Sequence, residues 1–260
     1  MNPRRKEESV MLIHVIAQEI MRLLSRRRFW ILAAVLAGAF VYEIIVVDPQ
    51  LANPPSAPAA FIEVLKDVLH WLFPFTTGVA VGDSFAIDRY CSWANFVLTR
   101  GLTRRRYIAA KGLGMAIAIC LLLTMSVTAA GVAAVCTKGL SPTIRTAEFG
   151  MINAADHASY LAHPWWFAVW FAGVHLLAAA AYSTTALLLT VWVPIPFVVS
   201  IVPPFIFLAA TVMLPETAWN PLGLLRLERG TMSGRFLYFL VWIAVTATVA
   251  IIAYGKQEDP

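Results

Sequence analysis

Asp83 and Asp88 lie in the stretch DSFAIDRYCSWANFVLTRGLTRRRYIAAK, which also carries Arg89, Arg100, Arg104, Arg105, Arg106 and Lys111. Two carboxylates near a bilayer surface are the raw material for metal binding or acid–base chemistry on lipids. Five residues apart, these two do not share a helix face. The cations suit another task, holding a segment against anionic headgroups at about 1 kcal/mol per residue. Cys91, Cys120 and Cys136 are odd in number and lack metal-ligand spacing. Neither a disulfide framework nor a metal site is therefore indicated, and each reads as a small packing residue. The run GVAVGDS has glycines but no Lys, and no G-x-x-x-x-G-K-S/T phosphate loop occurs elsewhere.

Other ionisable groups fall inside apolar runs, where a charge costs about 2.5–3.5 kcal/mol or more unless it is paired or wet. Glu43, His70 and His175 are the pathway candidates. At about 1.5 Å per residue, Glu43 is roughly 20 Å beyond Trp30. It either faces a pathway or reaches the far headgroups beside Asp48. Glu63, Lys66, Asp67 and His70 step at i, i+3, i+4, i+7, one polar stripe on an apolar helix. The stripe belongs either to the outer interface or to the mouth of a pathway, with a bend at Pro74 just below. His175 either bonds a neighbouring helix carbonyl or contacts substrate. Pro203 and Pro204, near Pro194 and Pro196, remove two backbone donors and mark a kinked or broken helix, a structural kink or a gate hinge.

The elements that must carry these groups are set by composition. Of 260 residues, 60% are hydrophobic and only 13% charged, with mean hydropathy +0.72. A soluble domain, with about 25% charged residues, does not look like this. The chain is expected to be an all-α polytopic membrane protein forming a single domain over 1–260. Six spans of roughly 20 residues are expected at 30–47, 61–81, 108–135, 166–193, 196–214 and 236–254. The charged start, MNPRRKEES, does not resemble a removable signal peptide.

Fourteen of the twenty Lys and Arg fall in the N-terminal segment, the connection between spans two and three, and the tail. The opposite side holds Lys66, Lys138, Arg145, Arg226, Arg229 and Arg235. The richer side is expected to be cytoplasmic, with both termini inside. The net charge of +5 is then a topology signal and gives no reason to expect nucleic acid.

Residues 9–28 repeat apolar positions at Leu12, Val15, Ile16, Ile20, Leu23 and Leu24, an amphipathic interfacial helix with Ser9 as N-cap. Between spans two and three, Ile87, Tyr90, Cys91, Ala94, Val97 and Leu98 form a second apolar face. Asp88, Arg89, Ser92, Asn95 and Thr99 lie opposite. This predicts one helix over 84–100, its polar face open to the cytosol, stopped at Gly101 and followed by Thr103 as the next N-cap. Ala34-x-x-x-Gly38 and Ala130-x-x-x-Ala134 permit close helix packing, including across a dimer. Trp165, Trp166 and Trp170 read as an outer aromatic belt.

The stretch from Gly82 to Lys111 resembles a segment of type-2 ATP-binding-cassette (ABC) transporter permeases, in which a basic run opens the third span. Asp88 aligns with an acidic residue that is usually Glu in that family. Arg104, Arg105, Arg106, Tyr107 and Lys111 align with the basic run, and Ser92–Trp93 stand where a Gly-Thr-like pair is common. The resemblance, which covers nearly the whole chain, implies the membrane subunit of an ATP-driven transporter. A second permease copy, identical or different, would complete the pathway. A cytosolic ATPase holding ATP and magnesium would dock on a coupling helix, with this chain binding no cofactor. The contact would involve Asp83, Asp88, Arg89, Asn95, Arg100, Arg104, Arg105, Arg106 and Lys111. It also implies that 222–227 dips into the outer membrane, its neighbouring arginines meeting lipid phosphates or an anionic substrate. With few central charges, the cargo is expected to be hydrophobic or amphipathic: a lipid, peptide or drug. Competing readings are a lipid-modifying membrane enzyme and a structural or sensor protein.

Overall fold

Backbone groups in hydrocarbon have no water to bond and must be satisfied within the chain, which here happens through helices. The computed structural model describes residues 3–47, 55–99, 102–140, 152–213, 223–225 and 230–256. In chain order the helices are α1 (Pro3–Leu24), α2 (Arg27–Tyr42), α3 (Ala57–Val64), α4 (His70–Thr77), α5 (Ser84–Tyr90) and α6 (Trp93–Leu98). There follow α7 (Arg104–Lys138), α8 (His157–Ala162), α9 (Pro164–Trp192), α10 (Pro196–Met213) and α11 (Met232–Gly255). No strand occurs among the described residues.

Among the described residues, five helical stretches are long and apolar enough to cross a membrane: Arg27–Val46, α7, α9, α10 and α11. This makes the chain a multi-pass, all-α membrane protein. The run expected to form the second crossing is built differently. It is helical from 57 to 82, but α3 and α4 alternate with π-helical turns at Leu65–Leu69 and Gly78–Gly82. Pro74 sits inside α4, between the two π turns. A third π turn, Glu43–Val47, extends α2 and begins at Glu43. Such turns insert residues into the i→i−4 ladder and rotate the side chains beyond them.

α7 and α9 form the centre. α7 packs against α1, α2, α3, α9 and α11, and α9 against α3, α7, α10 and α11. In the most apolar window of α9, 67% of residues are buried, against 11% in α11, so α11 is peripheral. Ala130 and Ala134 are buried inside the bundle. Gly38 faces open space, and a Cβ there would meet nothing within 4 Å.

Helix α10 runs on through Pro203 and Pro204, both buried, so the break expected as one alternative there does not occur. The two prolines cannot donate to the carbonyls four residues back, those of Val199 and Ser200. Gly78 and Gly82, on the last π turn, lie against these two oxygens. A Cβ on Gly78 would stand 2.2 Å from Ser200 O, and one on Gly82 3.2 Å from Val199 O. The close approach aims a Cα–H of each glycine at a freed carbonyl, worth about 0.5–1 kcal/mol apiece. The glycines of GVAVG are therefore a backbone-to-backbone seam that leads directly into Asp83.

Candidate functional site

The charged stretch that begins at Asp83 folds as two short helices. α5 ends at Tyr90, Ser92 takes a left-handed conformation with φ of 57°, and α6 starts at Trp93. The expected single helix over 84–100 is thus split at Cys91–Ser92, and its two halves face differently. In α6, Ala94 is buried and Asn95 exposed, as the spacing predicts. In α5 the face is inverted: Asp88 is 1% exposed, whereas Tyr90 is 80% exposed. The turn at Ser92 breaks the common register, and Asp88 faces inward because charged partners wait there.

Those partners come from α1 and α7. Lys111 Nζ lies 2.5 Å from Asp88 Oδ2, and the Tyr107 hydroxyl donates to the same oxygen at 2.6 Å. Arg22 pairs with Asp88 Oδ1, and with Glu19 at 3.0 Å. Lys111 also pairs with Glu19. The Ser84 hydroxyl donates to Glu19, and Arg22 donates to Ser84 O at 3.0 Å. Two anions, Glu19 and Asp88, are thus neutralised by two cations, Arg22 and Lys111, at the meeting point of α1, α5 and α7. Burial alone raises the Asp88 carboxyl, but Lys111 and Arg22 overcome it and hold the group below the usual carboxylate range. Burial lowers the Arg22 guanidinium, and Glu19 and Asp88 reverse the sign and raise it.

A second knot lies one turn away. Asp83 accepts from Arg26 at 2.8 Å and from Arg28, tying the α1–α2 corner to the start of α5. Arg26 is lowered by burial and by Arg28, only partly offset by Asp83. Arg89 Nη1 donates to Thr190 O and Val191 O at 2.6 and 2.8 Å, closing the end of α9. The Arg89 and Arg104 guanidinium groups sit 5.9 and 6.0 Å from the Tyr254 ring at the end of α11. Arg105 and Arg106 are exposed. Arg100 and Gly101 are outside the described residues. The expected docking set therefore divides into residues that bind the bundle together (Asp83, Asp88, Arg89, Lys111) and residues that face outward (Asn95, Arg105, Arg106).

Glu19 is the residue that reading the sequence for polar faces passes over. It stands at i+4 from Val15 and i+3 from Ile16, inside the apolar stripe of α1, and is 2% exposed. A charge on an apolar stripe is the signal. Gly114 on α7 makes room for it, since a Cβ there would lie 2.8 Å from Glu19 Cγ. A cavity of about 240 Å³ borders the cluster and is lined by Glu19, Arg22, Asp88, Tyr107, Lys111 and the aromatic Trp93, among others. Helix α1 begins at Pro3, so Ser9 is an interior residue and not the expected N-cap.

The pathway candidates are dispersed. Glu43 is half-buried on its π turn. His70 opens α4, and its side chain is outside the described part. His175 is fully buried at the centre of α9, where Nδ1 lies 3.0 Å from Phe171 O of its own helix. Cys91 and Cys136 are exposed and so are not packing residues; Cys120 is half-buried. Arg235, expected to meet lipid phosphate or substrate, is fully buried. It donates to Gly230 O at 2.7 Å and faces Asp156 at 3.9 Å. Within 222–227 only Gly223–Leu225 is described, as a single 3₁₀ turn. Arg145, Arg226 and Arg229 are outside the described residues. A scan against protein-family models and a search of curated proteins each find no match to this chain.

Proposed function

We propose that the chain is the membrane-spanning permease subunit of an ATP-driven ABC exporter, powered by a separate cytosolic ATPase. The observation that carries this reading is the joint at α5. Its inner face is ion-paired to α1 and α7, Arg89 holds the end of α9, and Gly78–Gly82 presses on α10. Its tip, with Tyr90, Cys91, Ser92, Trp93 and Asn95, is exposed. A push on such a tip is delivered to several spans at once, since buried charges resist separation more strongly than apolar contacts do.

In this reading the 57–82 run is a sixth crossing, both termini are cytoplasmic, and the chain sits in the cell membrane beside a second permease copy. The cargo is hydrophobic or amphipathic. The lipid-enzyme alternative is weakened by Asp83 and Asp88, whose carboxylates are occupied by Arg26, Arg28, Arg22 and Lys111.

The test is co-purification with a candidate phosphate-loop ATPase, using Tyr90→Arg and Asn95→Arg. Both side chains are exposed, so the fold is retained. The expected result is loss of the partner and of ATP-dependent transport at unchanged thermal stability. A double variant that keeps both would refute the coupling role.

A further inference from the structure

A cavity of about 630 Å³ lies away from the charged joint, between α3, α7 and α9. Its α7 wall runs from Thr124 to Cys136 and its α9 wall from Trp165 to Leu176. At about 1.5 Å per residue, each wall is roughly 16–18 Å long. Half of the hydrocarbon core is about 15 Å. The groove is therefore one leaflet deep, starting at the Trp165 end. A helix from a second copy would cross the whole core, whereas this groove stops near its middle.

The lining selects an apolar guest. Thr124 and Thr128 donate their hydroxyls to Cys120 O and Thr124 O, each at 2.7 Å, and Trp165 Nε1 donates to Leu140 O at 3.1 Å. Three polar groups of the wall are thus turned to main chain. Two glycines hollow it out. A Cβ at Gly173 would meet nothing within 4 Å, and one at Gly131 only the Phe61 ring, at 3.6 Å. Just past the Trp165 end, Lys138 closes α7 and donates to Pro55 O at 3.2 Å. A cation there complements a lipid phosphate at headgroup level.

We propose that this groove holds one acyl chain of a phospholipid from the leaflet at the Trp165 end, with its phosphate beside Lys138. The site requires only that the chain is membrane-embedded, and it stands whether or not the transport reading does. The volume falls within the roughly 300–1,000 Å³ of ligand pockets.

The full chain, reconstituted in phosphatidylcholine vesicles doped with a diazirine-acyl phosphatidylcholine, is irradiated and its adducts are mapped by mass spectrometry. Adducts are expected to concentrate on 124–136 and 165–176, well above the exposed face of α2 at Ile31, Val35 and Tyr42. Gly173→Leu fills the hollow and lowers the groove adducts about tenfold, leaving those on α2 unchanged. Thr128→Trp fills it from the opposite wall and serves if the first variant does not fold. Equal density on the groove and on the exposed face of α2 would overturn the proposal, as would groove adducts that persist in both variants. Cross-linking of Thr128→Cys between two copies would put a second chain there and also overturn it.

Discussion

Removing one charge from the four-residue cluster is the sharpest probe of the joint. Lys111 is 3% exposed and lies 2.5 Å from Asp88 Oδ2. Lys111→Met leaves Glu19 and Asp88, 2% and 1% exposed, to share Arg22. An uncompensated buried charge of this kind costs about 3–5 kcal/mol. At roughly 2–4 °C per kcal/mol for a chain of this order of length, Tm falls on the order of 6–20 °C. Asp88→Asn restores neutrality and keeps an oxygen to accept from Tyr107. In the double variant the loss should therefore be smaller than the sum of the single losses, by about 1–3 kcal/mol. The measurement is thermal unfolding of the four proteins in one detergent, followed by tryptophan fluorescence and circular dichroism. If the two single losses simply add, the charges do not share a buried field, and α1 is not held to α5 by them.

Three further outcomes follow from the same geometry. The Asp88 carboxyl is held below its ordinary value of about 3.9, so its stabilising contribution is complete above that pH and is lost as pH falls through the depressed value. The Tm gap between wild type and Asp88→Asn should stay constant from about pH 7 to 5 and close only below about 4; closure already by pH 5 would contradict the ion pairing. Gly78→Ala drives a Cβ to 2.2 Å from Ser200 O and should cost about 1–3 kcal/mol, whereas Gly38→Ala, with nothing within 4 Å, serves as the neutral control. Equal Tm values for the two would remove the glycine seam. Arg235→Met strands the Asp156 carboxylate on the Met232 N–H at 3.1 Å and should cost about 3 kcal/mol or more, read as a Tm shift that Asp156→Asn in the same chain partly reverses.

Run length and hydropathy are local properties, and they place α2, α7, α9, α10 and α11 within a few residues of their observed bounds. The 57–82 run is the exception, since its π turns answer to Pro74 and to the glycine contacts with α10, which lie outside any local window. The charged joint was half legible. Lys111 and Asp88 are visible as conspicuous residues, yet which way Asp88 points depends on the left-handed turn at Ser92. Glu19 is visible only as a charge on an apolar stripe.

Membrane embedding and helical class were already decided by composition and periodicity, because lipid leaves the backbone no alternative. Which charges are buried was decided only in three dimensions. An isolated carboxylate cannot enter the bundle, so the place of Asp88 exists only once α1 and α7 have brought Arg22 and Lys111 to meet it.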